Sequence, residues 1–506
     1  MPSGALPEHA DQPFAPTGKD ANLLAAQPKT RPERREEETM TAPSLGIVAD
    51  DLSGAAECAS HALMRVSRSI VVLAGRDADA TIVHPDAPCT GAGGTEDEPL
   101  AVVTVDTDSR RLTEQEAQGA VRAAAGLVAG APVVVKKVDS LLRGHVAAEV
   151  SALAEEMQRT PVVAVANPAL ERVVVDGVLH VGGTPLHRTD LWAVEATAAP
   201  DRVATALHPL ATVLVPHSVV SRGVAAVAEA LAAAADAGLV AVCDAVTDAD
   251  LDVVHAAAVA ASAARGRGTL LVGSGALADA AVRALPPEQR RGPRIAGPEP
   301  DNAPFEGRGA ETAGAMRSAP SVGSVRSVLF VLGTRAPGVS AQLEQLCAAR
   351  TTQMVLVQPG RLLADPGVVR AELAARGGGS VVVVALDPAA PADPTRSRAL
   401  TEALATAVAP LLDEYDGVFL SGGETARAVL DRLDVHSLEV VEEVETGTVV
   451  SRLPGGGLVV TRPGSFGDPT SLARVATHVL GAAPPDTTPT HTATRATPGA
   501  TTEENS

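Results

Sequence analysis

The chain has few aromatic residues, few cysteines and no long apolar run. Phe, Trp and Tyr together make up 1% of the residues, which leaves little for stacking against nucleic-acid bases. Cysteine occurs at four distant positions without the spacing of zinc ligands, so we expect reduced thiols: Cys58, Cys89, Cys243 and Cys347. No stretch approaches the roughly 18 apolar residues that a membrane-spanning helix requires. The sequence therefore predicts a soluble, cytoplasmic protein that binds neither nucleic acid nor membrane.

Positive charge is also scarce. The chain has 41 Lys and Arg against 61 Asp and Glu, which gives a formal net charge of −20 at pH 7. Such a balance repels nucleic acid and anionic membranes unless one face is locally basic. An anionic small molecule would have to be met by local cationic side chains or backbone amides.

A chain of 506 residues is too long for one hydrophobic core, so two domains are expected. Over residues 44–285, short β-branched runs alternate with Ala-rich helical stretches, which is typical of βαβ units and a largely parallel sheet. The predicted strands are 45–48, 70–73, 101–105, 133–135, 162–165, 212–215, 240–242 and 269–272. Val173–Val181 departs from this rhythm, because Asp176-Gly177 between Val-rich flanks predicts a hairpin, which we expect at the border of a cleft.

Residues 286–327 are rich in Pro, Gly, Arg and Glu without periodicity, which predicts a linker between domains that move relative to each other. Alternation resumes over residues 328–481. The predicted strands there are 328–332, 380–386, 417–420 and 458–461, followed by a last helix near 472–480. The predicted fold is therefore α/β, with two domains, each a mostly parallel sheet covered by helices, joined by a Pro/Gly-rich linker.

Both ends of the chain are expected to be disordered. Residues 1–43 run through Pro, Ala, Arg and Glu without the apolar segment of a signal peptide, and residues 482–506 form a low-complexity Thr/Pro tail. Translation starting at Met1 and translation starting at Met40 both fit this organisation.

Polar residues concentrate in three loops that follow predicted strands of the first domain. They are 50–54 (DDLSG), 106–111 (DTDSRR) and 136–145 (KKVDSLLRGH). In open parallel sheets, ligands bind outside the carboxyl ends of the strands, so these loops are expected to share one edge. Each loop also has a simpler interpretation. Residues 50–54 would cap a helix, and residues 106–111 would form a cap with a surface ion pair. Residues 136–143 would be a solvated basic loop.

Three charged loops at one edge favour a binding site over three separate coincidences. Guanidinium groups such as those of Arg110 and Arg143 bind carboxylates side-on, which suits an acidic substrate. Carboxylates such as Asp50, Asp51 and Asp139 have the chemistry to orient a hydroxyl or accept its proton.

Glycine-containing loops follow the predicted strands of the second domain. They are Gly333-Thr334, the segment 421–426 (SGGETA) and the segment 462–467 (RPGSFG). Glycines ahead of a helix let backbone N–H groups approach phosphates, although each pattern alone is a weak indicator. The sequence has no GxxxxGK[ST] loop and no protein-kinase motif set, so a nucleotide site here is of another type.

Taken in order, these loops resemble the motifs of the four-carbon acid sugar kinase family. The first domain of that family carries A-D-D-x-T-G, T-D-S-R and K-x-D-S-T-L-R-G. The second carries G-S-x-S, G-G-[DE]-T and S-G-x-F-G. The matching segments here are 49–54, 107–110, 137–144, 333–334, 422–425 and 464–467. The resemblance covers roughly residues 45–480, and the ordered run of six motifs is far more specific than any one of them.

The resemblance implies ATP-dependent phosphorylation of a terminal hydroxyl of a small sugar acid such as threonate, erythronate or 3-oxo-tetronate. It implies that the first domain holds the sugar acid and the second the nucleotide. By motif position, the acid-sugar pocket would be lined by Asp50, Asp51, Ser53, Asp108, Arg110, Lys137, Asp139 and Arg143. The ATP site would be lined by Thr334, Gly422, Gly423, Glu424, Thr425 and Gly464.

Phosphoryl transfer requires a divalent cation and a group that takes the hydroxyl proton, so ATP and Mg²⁺ are the expected cofactors. Asp51, Asp139 and Arg143 are the predicted catalytic residues, with Asp51 or Asp139 as the base and Arg143, together with Arg110, on the substrate carboxylate. No dedicated metal ligand is predicted among the side chains. A homodimer is the expected assembly.

The sequence departs from the family motifs at several positions. Ser53 replaces Thr and keeps the hydroxyl, Leu141 replaces Thr and loses it, and Glu57 stands where a smaller polar residue is common. His145 and Pro463 also differ from the usual Asn and Ser. These changes bear on the particular substrate more than on the reaction class. Two alternatives remain: a metal-dependent hydrolase or phosphatase using Asp50-Asp51, and a non-catalytic sensor of sugar acid and ATP.

Overall fold

The computed structural model describes residues 43–75, 101–287, 322 and 325–481, with short gaps at 194, 196, 335, 337, 376–378, 392, 455 and 465. All described residues lie in one compact unit of the chain. The predicted disordered tail, nearly all of the predicted N-terminal extension and most of the predicted linker lie outside the described residues. Those three predictions therefore stay predictions.

The first domain alternates strands and helices along most of its length, as the sequence predicts. Its strands and helices are β1 (Leu45–Ala49), α1 (Leu52–Ala62), β2 (Arg68–Leu73), β3 (Ala101–Asp106), α2 (Glu114–Val128), β4 (Val133–Lys137), α3 (Val146–Glu156), β5 (Thr160–Ala164), β6 (Arg172–Val175), β7 (Val178–Val181), β8 (Thr184–Pro185), α4 (Val203–Ala206), β9 (Thr212–Val215), α5 (His217–Val220), α6 (Val224–Asp236), β10 (Val240–Cys243), α7 (Asp248–Arg265), β11 (Thr269–Gly273) and α8 (Gly275–Ala284).

The second domain is smaller and adds an antiparallel pair to the alternation. Its strands and helices are β12 (Val328–Leu332), α9 (Val339–Ala349), β13 (Thr352–Val357), α10 (Pro359–Ala364), α11 (Val368–Ala374), β14 (Val381–Leu386), α12 (Ser397–Val408), β15 (Gly417–Ser421), α13 (Gly423–Arg432), β16 (Ser437–Glu445), β17 (Thr448–Arg452), β18 (Leu458–Arg462) and α14 (Ser471–Leu480). The sequence pattern did not predict β13, β16 or β17.

The strands of both domains join in one sheet of 15 strands within the described residues. The first domain contributes the all-parallel order β2-β3-β1-β4-β11-β5-β10-β9, and the second contributes β13-β14-β12-β15-β18-β17-β16. The two halves meet where β16 pairs antiparallel with β2, with Ser437 opposite Val72 and Glu439 opposite Ile70. The predicted α/β class with two largely parallel sheets is confirmed. The continuous junction between them is an additional finding.

Strands at the centre of each half are buried along their whole length because helices cover both faces. Every residue of β1, β12 and β14 is buried, and these strands consist mostly of Val and Leu. Such continuous apolar runs are what a parallel sheet with two covered faces requires.

Strand order places the polar loops side by side. β1 lies between β3 and β4, and its last residue, Ala49, is opposite Asp106 on one side and Lys137 on the other. In the second domain β15 lies between β12 and β18, with Ser421 opposite both Leu332 and Arg462. Each set of three loops therefore emerges from three adjacent strand ends, as the sequence pattern predicts.

The predicted hairpin is present as β6 and β7, which pair antiparallel. Asp176 and Gly177 form its turn with φ angles of 51° and 74°, a conformation that Asp and Gly accept more readily than most residues. The buried carboxylate of Asp244 accepts hydrogen bonds from both turn amides at 2.8 Å. This anchoring holds the hairpin against the first domain.

Candidate active site

Acidic and basic side chains from the three first-domain loops form one cluster at the sheet edge. Arg110 Nε donates to Asp50 Oδ2 at 2.8 Å, and Arg110 Nη2 lies 2.9 Å from Asp51 Oδ1 and 3.6 Å from Asp139 Oδ1. Lys137 Nζ lies 3.5 Å from Asp51 Oδ1 and 3.9 Å from Asp50 Oδ1. Arg110 thus joins carboxylates from two different loops.

Asp139 is the most fully engaged carboxylate of the cluster. Arg143 donates two parallel hydrogen bonds to it, from Nε to Oδ2 and from Nη2 to Oδ1, both at 2.8 Å. The backbone amides of Leu141 and Arg143 also donate to Oδ2, at 3.1 and 3.2 Å. Burial opposes its charge, but Arg143 and Arg110 together hold the pKa of Asp139 well below its usual range. Asp139 is therefore ionised and held in one orientation.

Asp50 and Asp51 are adjacent in sequence but differ in environment. Asp50 is buried, and although burial disfavours its charge, Arg110 and Lys137 lower the pKa of this carboxyl. Asp51 is the N-cap of α1, where Oδ1 accepts from Gly54 N at 3.2 Å. The capping interpretation is thus correct for Asp51, and the same carboxylate also takes part in the charged cluster. Its side chain is 21% exposed, against 4% for Asp50.

Gly54 makes room for this arrangement. A Cβ atom at this position would lie 2.1 Å from Lys137 Nζ and 2.8 Å from Asp51 Oδ1. A side chain there would push Lys137 away from its two carboxylates. The glycine of the first motif is therefore needed for the close approach of Lys137 to the start of α1.

A second, buried layer ties the three loops together beneath the cluster. Lys136 Nζ lies 2.7 Å from Glu149 Oε2, and both side chains are almost completely buried. Ser109 Oγ donates to Glu149 Oε1 at 3.0 Å and lies 2.8 Å from Thr107 Oγ1, which donates to the carbonyl of Ala49 at 2.8 Å. The solvated-loop interpretation of residues 136–143 is therefore wrong for both lysines of that loop.

Asp108 follows the end of β3 in the left-handed region of backbone conformation. Its φ is 46°, and its backbone amide donates to Asp106 Oδ1 at 3.0 Å. Burial raises the pKa of both Asp106 and Glu424, and the charge of Asp108 adds to this rise. The predicted substrate residue Asp108 is therefore within electrostatic range of Glu424 in the second domain.

The glycine loops of the second domain are closely packed against each other. A Cβ atom on Gly333 would lie 2.0 Å from Thr425 Oγ1, and one on Gly464 would lie 3.0 Å from Thr334 Cβ. Gly422 has a φ of 100° and precedes α13, whose N-terminus has no side-chain cap. The amides of the first helical turn and the positive end of the helix dipole suit a phosphate.

The two sets of loops meet at α13. A Cβ atom on Gly423 would lie 2.8 Å from Ser53 Oγ and 3.5 Å from Asp51 Oδ2. Arg111 Nη2 lies 2.6 Å from Glu424 Oε1, and burial raises the pKa of Glu424. The structure therefore brings Asp51 and Ser53 of the first domain next to the helix N-terminus of the second.

Two family models match the chain, and together they cover more than half of it. One, described as a sugar-binding N-terminal domain, matches residues 45–281, and the other, described as a nucleotide-binding C-terminal domain, matches residues 329–472. A D-threonate kinase from Cupriavidus necator is 34% identical over 84% of this chain and 95% of its own length. The chain belongs to the four-carbon acid sugar kinase family. The prediction of this family from the sequence motifs is confirmed.

Other members of the family carry different substrate names. A D-erythronate kinase from Heliobacterium modesticaldum is 28% identical over 72% of this chain and 84% of its own length. A 3-oxo-tetronate kinase from Methylobacterium radiotolerans is 28% identical over 84% of this chain and 96% of its own length. A solved structure from Salmonella typhimurium has a TM-score of 0.60 at 17% identity, covering 86% of this chain and 98% of its own, and shows the shared fold alone.

The motifs that define the family do not include every charged residue at the site. Arg427 on α13 is buried, with Nη1 2.8 Å from Asp106 Oδ2 at the end of β3 and Nη2 bonded to the carbonyl of Ala74. This ion pair links the two domains directly behind the site. Only the nearby G-G-[DE]-T motif pointed to this helix, and nothing in the sequence pointed to Asp106 as the partner.

Arg462 is a second residue whose role sequence reasoning missed. It is buried at the end of β18, where burial lowers its pKa to about 10. Its Nη2 donates to Gln342 Oε1 at 2.9 Å, and Gln342 Nε2 donates to the carbonyl of Gly467 at 3.0 Å. These hydrogen bonds hold the glycine loop of residues 462–467 against α9.

Within the described ranges, no group of three or more His, Cys, Asp or Glu side chains is arranged to hold a metal ion. In the same part of the chain, no helix is long and apolar enough to cross a membrane.

Proposed function

We propose that this chain transfers the γ-phosphate of ATP to a terminal hydroxyl of a four-carbon sugar acid, with threonate, erythronate and 3-oxo-tetronate as the candidate substrates. One observation carries the proposal. The N-terminus of α13 in the nucleotide-binding domain lies against the Asp51 carboxylate of the sugar-binding domain, 3.5 Å from the Cβ position of Gly423. A phosphate at that helix end and a hydroxyl beside that carboxylate would be neighbours, as phosphoryl transfer requires.

Asp51 is the proposed base. It combines partial exposure with proximity to α13, whereas Asp139 is held by four hydrogen bonds from Leu141 and Arg143. A carboxylate whose lone pairs are already occupied is a poor acceptor for the substrate proton. In this proposal Asp139 instead orients Arg143, and Arg143, with 30% of its side chain exposed, contacts the substrate carboxylate.

The remaining first-domain residues have supporting roles in the proposal. The three carboxylate contacts of Arg110 suit it to hold Asp50 and Asp51 in place more than to bind the substrate acid. Lys137 shares that role. Ser53, next to Gly423, and Asp108, on the side of Glu424, would face the transferring phosphoryl group.

The glycine loops fit ATP phosphates. Gly422, Gly423 and Gly464 leave space that side chains would fill, and the amides of Glu424 and Thr425 belong to the uncapped first turn of α13. Thr334 Oγ1 shapes its own loop by accepting from Ala336 N at 3.2 Å. Mg²⁺ would neutralise charge on the phosphates. It commonly takes one or two protein carboxylates, a role that the position of Glu424 suits.

Cytoplasmic location, a homodimer and domain movement about residues 286–327 stay predictions. Light scattering of the purified protein would measure the assembly. A radius of gyration that falls on addition of ATP and sugar acid would indicate closure.

The test is ADP formation by the purified chain with ATP, Mg²⁺ and a panel of threonate, erythronate, 3-oxo-tetronate and glycerate. We expect turnover with one four-carbon acid, and we expect Asp51→Asn to lower kcat by about 10²- to 10⁴-fold. Asp236→Asn, which removes an exposed carboxylate paired with Arg265, serves as the matched control.

The possible results separate the alternatives. If Asp51→Asn keeps near-normal turnover and Asp139→Asn loses turnover, Asp139 is the base. Phosphate release from a sugar phosphate without ATP would indicate a hydrolase. Binding of acid and ATP without turnover would indicate a sensor.

A further inference from the structure

Arg172 lies at the sugar-acid edge but outside the family motifs. It begins β6, the first strand of the hairpin, and paired backbone hydrogen bonds with Asn167, at 2.7 and 3.0 Å, hold it there. Its Nη1 donates a hydrogen bond to Oγ of Ser140, the residue directly after Asp139. The side chain therefore reaches from the hairpin to the charged cluster.

The guanidinium of Arg172 is incompletely paired within the part of the chain that the structure describes. Among the described residues no Asp or Glu forms an ion pair with it, and its Nε is buried without a hydrogen-bond acceptor. Because Nη1 is used by Ser140, the unused edge of the guanidinium is the one formed by Nε and Nη2. That edge is one that pairs side-on with a carboxylate through two parallel hydrogen bonds.

The rest of the cluster is already balanced. Asp50, Asp51 and Asp139 are matched by Arg110, Lys137 and Arg143, which contact them at 2.8 to 3.9 Å. Arg172 adds a further positive charge within electrostatic range of Asp139, Arg143 and Glu57.

Glu57 is a further carboxyl within electrostatic range of Arg172. Burial raises the pKa of Glu57. A half-buried guanidinium with no neutralising partner is costly unless an anion joins it. Arg172 therefore leaves a guanidinium edge at the site that a substrate carboxylate can pair with.

We infer that Arg172 binds the carboxylate of the sugar acid and thereby selects acids over neutral sugars. The inference rests on the proposed function and names a contact within that site. Arg172 and Arg143 would lie on either side of the carboxylate near Ser140, and the far hydroxyl would point toward Asp51. The hairpin would then act as the substrate-selecting wall of the site.

The experiment compares the four-carbon acid that the unaltered chain phosphorylates with the polyol in which CH₂OH replaces its carboxylate. For Arg172→Met we expect KM for the acid to rise about 10²-fold, the scale typical for loss of a buried charge-paired contact. KM for ATP should stay within about twofold, since the change is remote from the glycine loops. The preference for acid over polyol should fall by the same factor as the acid KM rises. Arg172→Lys, which keeps the charge but not the planar fork, should recover part of the loss.

The control is Arg202→Met, which removes an exposed arginine that contacts the same hairpin through the carbonyl of Asp176. Arg202→Met should leave KM for the acid, KM for ATP and the preference for acid over polyol unchanged. If Arg172→Met lowers the melting temperature, its kinetics no longer isolate the role of Arg172. The variants Arg172→Lys and Ser140→Ala then test that role. A partial loss of acid preference in the first, with little change in the second, supports the inference. Unchanged preference in Arg172→Lys overturns it.

Two further results would overturn the inference in distinguishable ways. Unchanged acid KM and unchanged acid preference in a folded Arg172→Met, beside normal activity of the unaltered chain, would overturn the role of Arg172 alone. Absence of both turnover and calorimetric binding of every acid by the unaltered chain would overturn the proposed function, and the role of Arg172 with it.

Discussion

At the scale of single residues, what matters is which charges are buried and which group each one faces. Asp50 and Lys136 are both buried, yet neither is isolated, because Arg110 and Glu149 lie at 2.8 and 2.7 Å. A buried charge with a close partner is tolerated, whereas one left alone after a substitution is strongly destabilising. Arg172 is the exception at this site, which is why it carries the inference above.

The buried pair between Lys136 and Glu149 leads to a stability prediction. Glu149→Gln leaves the Lys136 ammonium buried without its counter-charge, and we expect the free energy of unfolding to fall by about 3–5 kcal/mol. Urea denaturation measures this change.

The matched control for that prediction is Arg122→Met, which breaks the exposed pair between Arg122 and Glu155 on the neighbouring helices α2 and α3. Exposed pairs contribute about 0–1 kcal/mol. Equal effects of Glu149→Gln and Arg122→Met would mean that the buried pair has no special role in stability.

At the scale of elements, the site depends on helices and strands that approach each other without intervening side chains. The N-terminus of α13 lies against the N-terminus of α1 because Gly423 has no Cβ to collide with Ser53 Oγ. Gly333 follows β12, the first strand of the second domain, for the same reason, since Thr425 of α13 occupies the space beside it. Glycine positions in these motifs therefore determine the spacing of elements as well as the shape of a loop.

Gly333→Ala tests this spacing. The added methyl would lie 2.0 Å from Thr425 Oγ1, so α13 or the loop must shift. We expect a loss of about 1–3 kcal/mol in stability, as for overpacking. We also expect a higher KM for ATP, with KM for the sugar acid nearly unchanged. Steady-state kinetics with each substrate varied in turn would measure this.

Gly360→Ala is the control, because a Cβ at this position in α10 meets nothing within 4 Å. A glycine-to-alanine change in an unobstructed helix is expected to be neutral or stabilising by about 0.4–1 kcal/mol. If Gly333→Ala behaved like Gly360→Ala, the packing of Gly333 on Thr425 would have no bearing on nucleotide binding.

Across the whole described fold, contacts of several kinds join the domains, and three of them differ in how they respond to conditions. The sheet continues through β2 and β16, Arg427 pairs with Asp106, and His61 of α1 bridges Asp279 of α8 and Glu443 of β16. The first two are backbone pairing and a buried ion pair. The third is half-exposed and depends on the protonation of one imidazole.

His61 therefore predicts a pH dependence of stability. Hydrogen bonds to Asp279 and Glu443 raise its pKa to about 10 from an ordinary value of 6.5. A raised pKa in the folded state means that the stabilisation is fully present below pH 6.5. It is lost progressively as the pH rises through 10. We expect the melting temperature of the unaltered chain to fall between pH 7 and pH 10 more steeply than that of His61→Gln.

His187→Gln, which changes an exposed histidine, is the control for that titration. Its melting curve should follow that of the unaltered chain at every pH. Parallel pH profiles for His61→Gln and the unaltered chain would show that the bridge to Asp279 and Glu443 contributes nothing to stability.

Local features of the sequence were sufficient for much of this picture. Alternation of β-branched and Ala-rich runs predicts most strands and helices, and Asp176-Gly177 predicts its hairpin, because turn geometry and burial of consecutive residues are short-range properties. The same alternation missed β16, where glutamates at 439, 442, 443 and 445 obscure the period of a strand. A strand with a charged face has a weak apolar signal, so it is identified only by the strands with which it pairs.

The order of the motifs and their positions at strand ends predicted the family, which is confirmed, and the residues of both pockets, which stay predictions. Strand order was not accessible in that way, since the antiparallel pairing of β2 with β16 joins residues more than 360 positions apart. The same holds for Arg427 with Asp106 and for the free edge of Arg172, because the partner of a side chain depends on the packing of the whole chain. Sequence alone determined which chemical groups this protein has at its strand ends. Which of those charges neutralise each other depends on long-range packing, because partners such as Arg110 and Asp50 lie on distant segments of the chain.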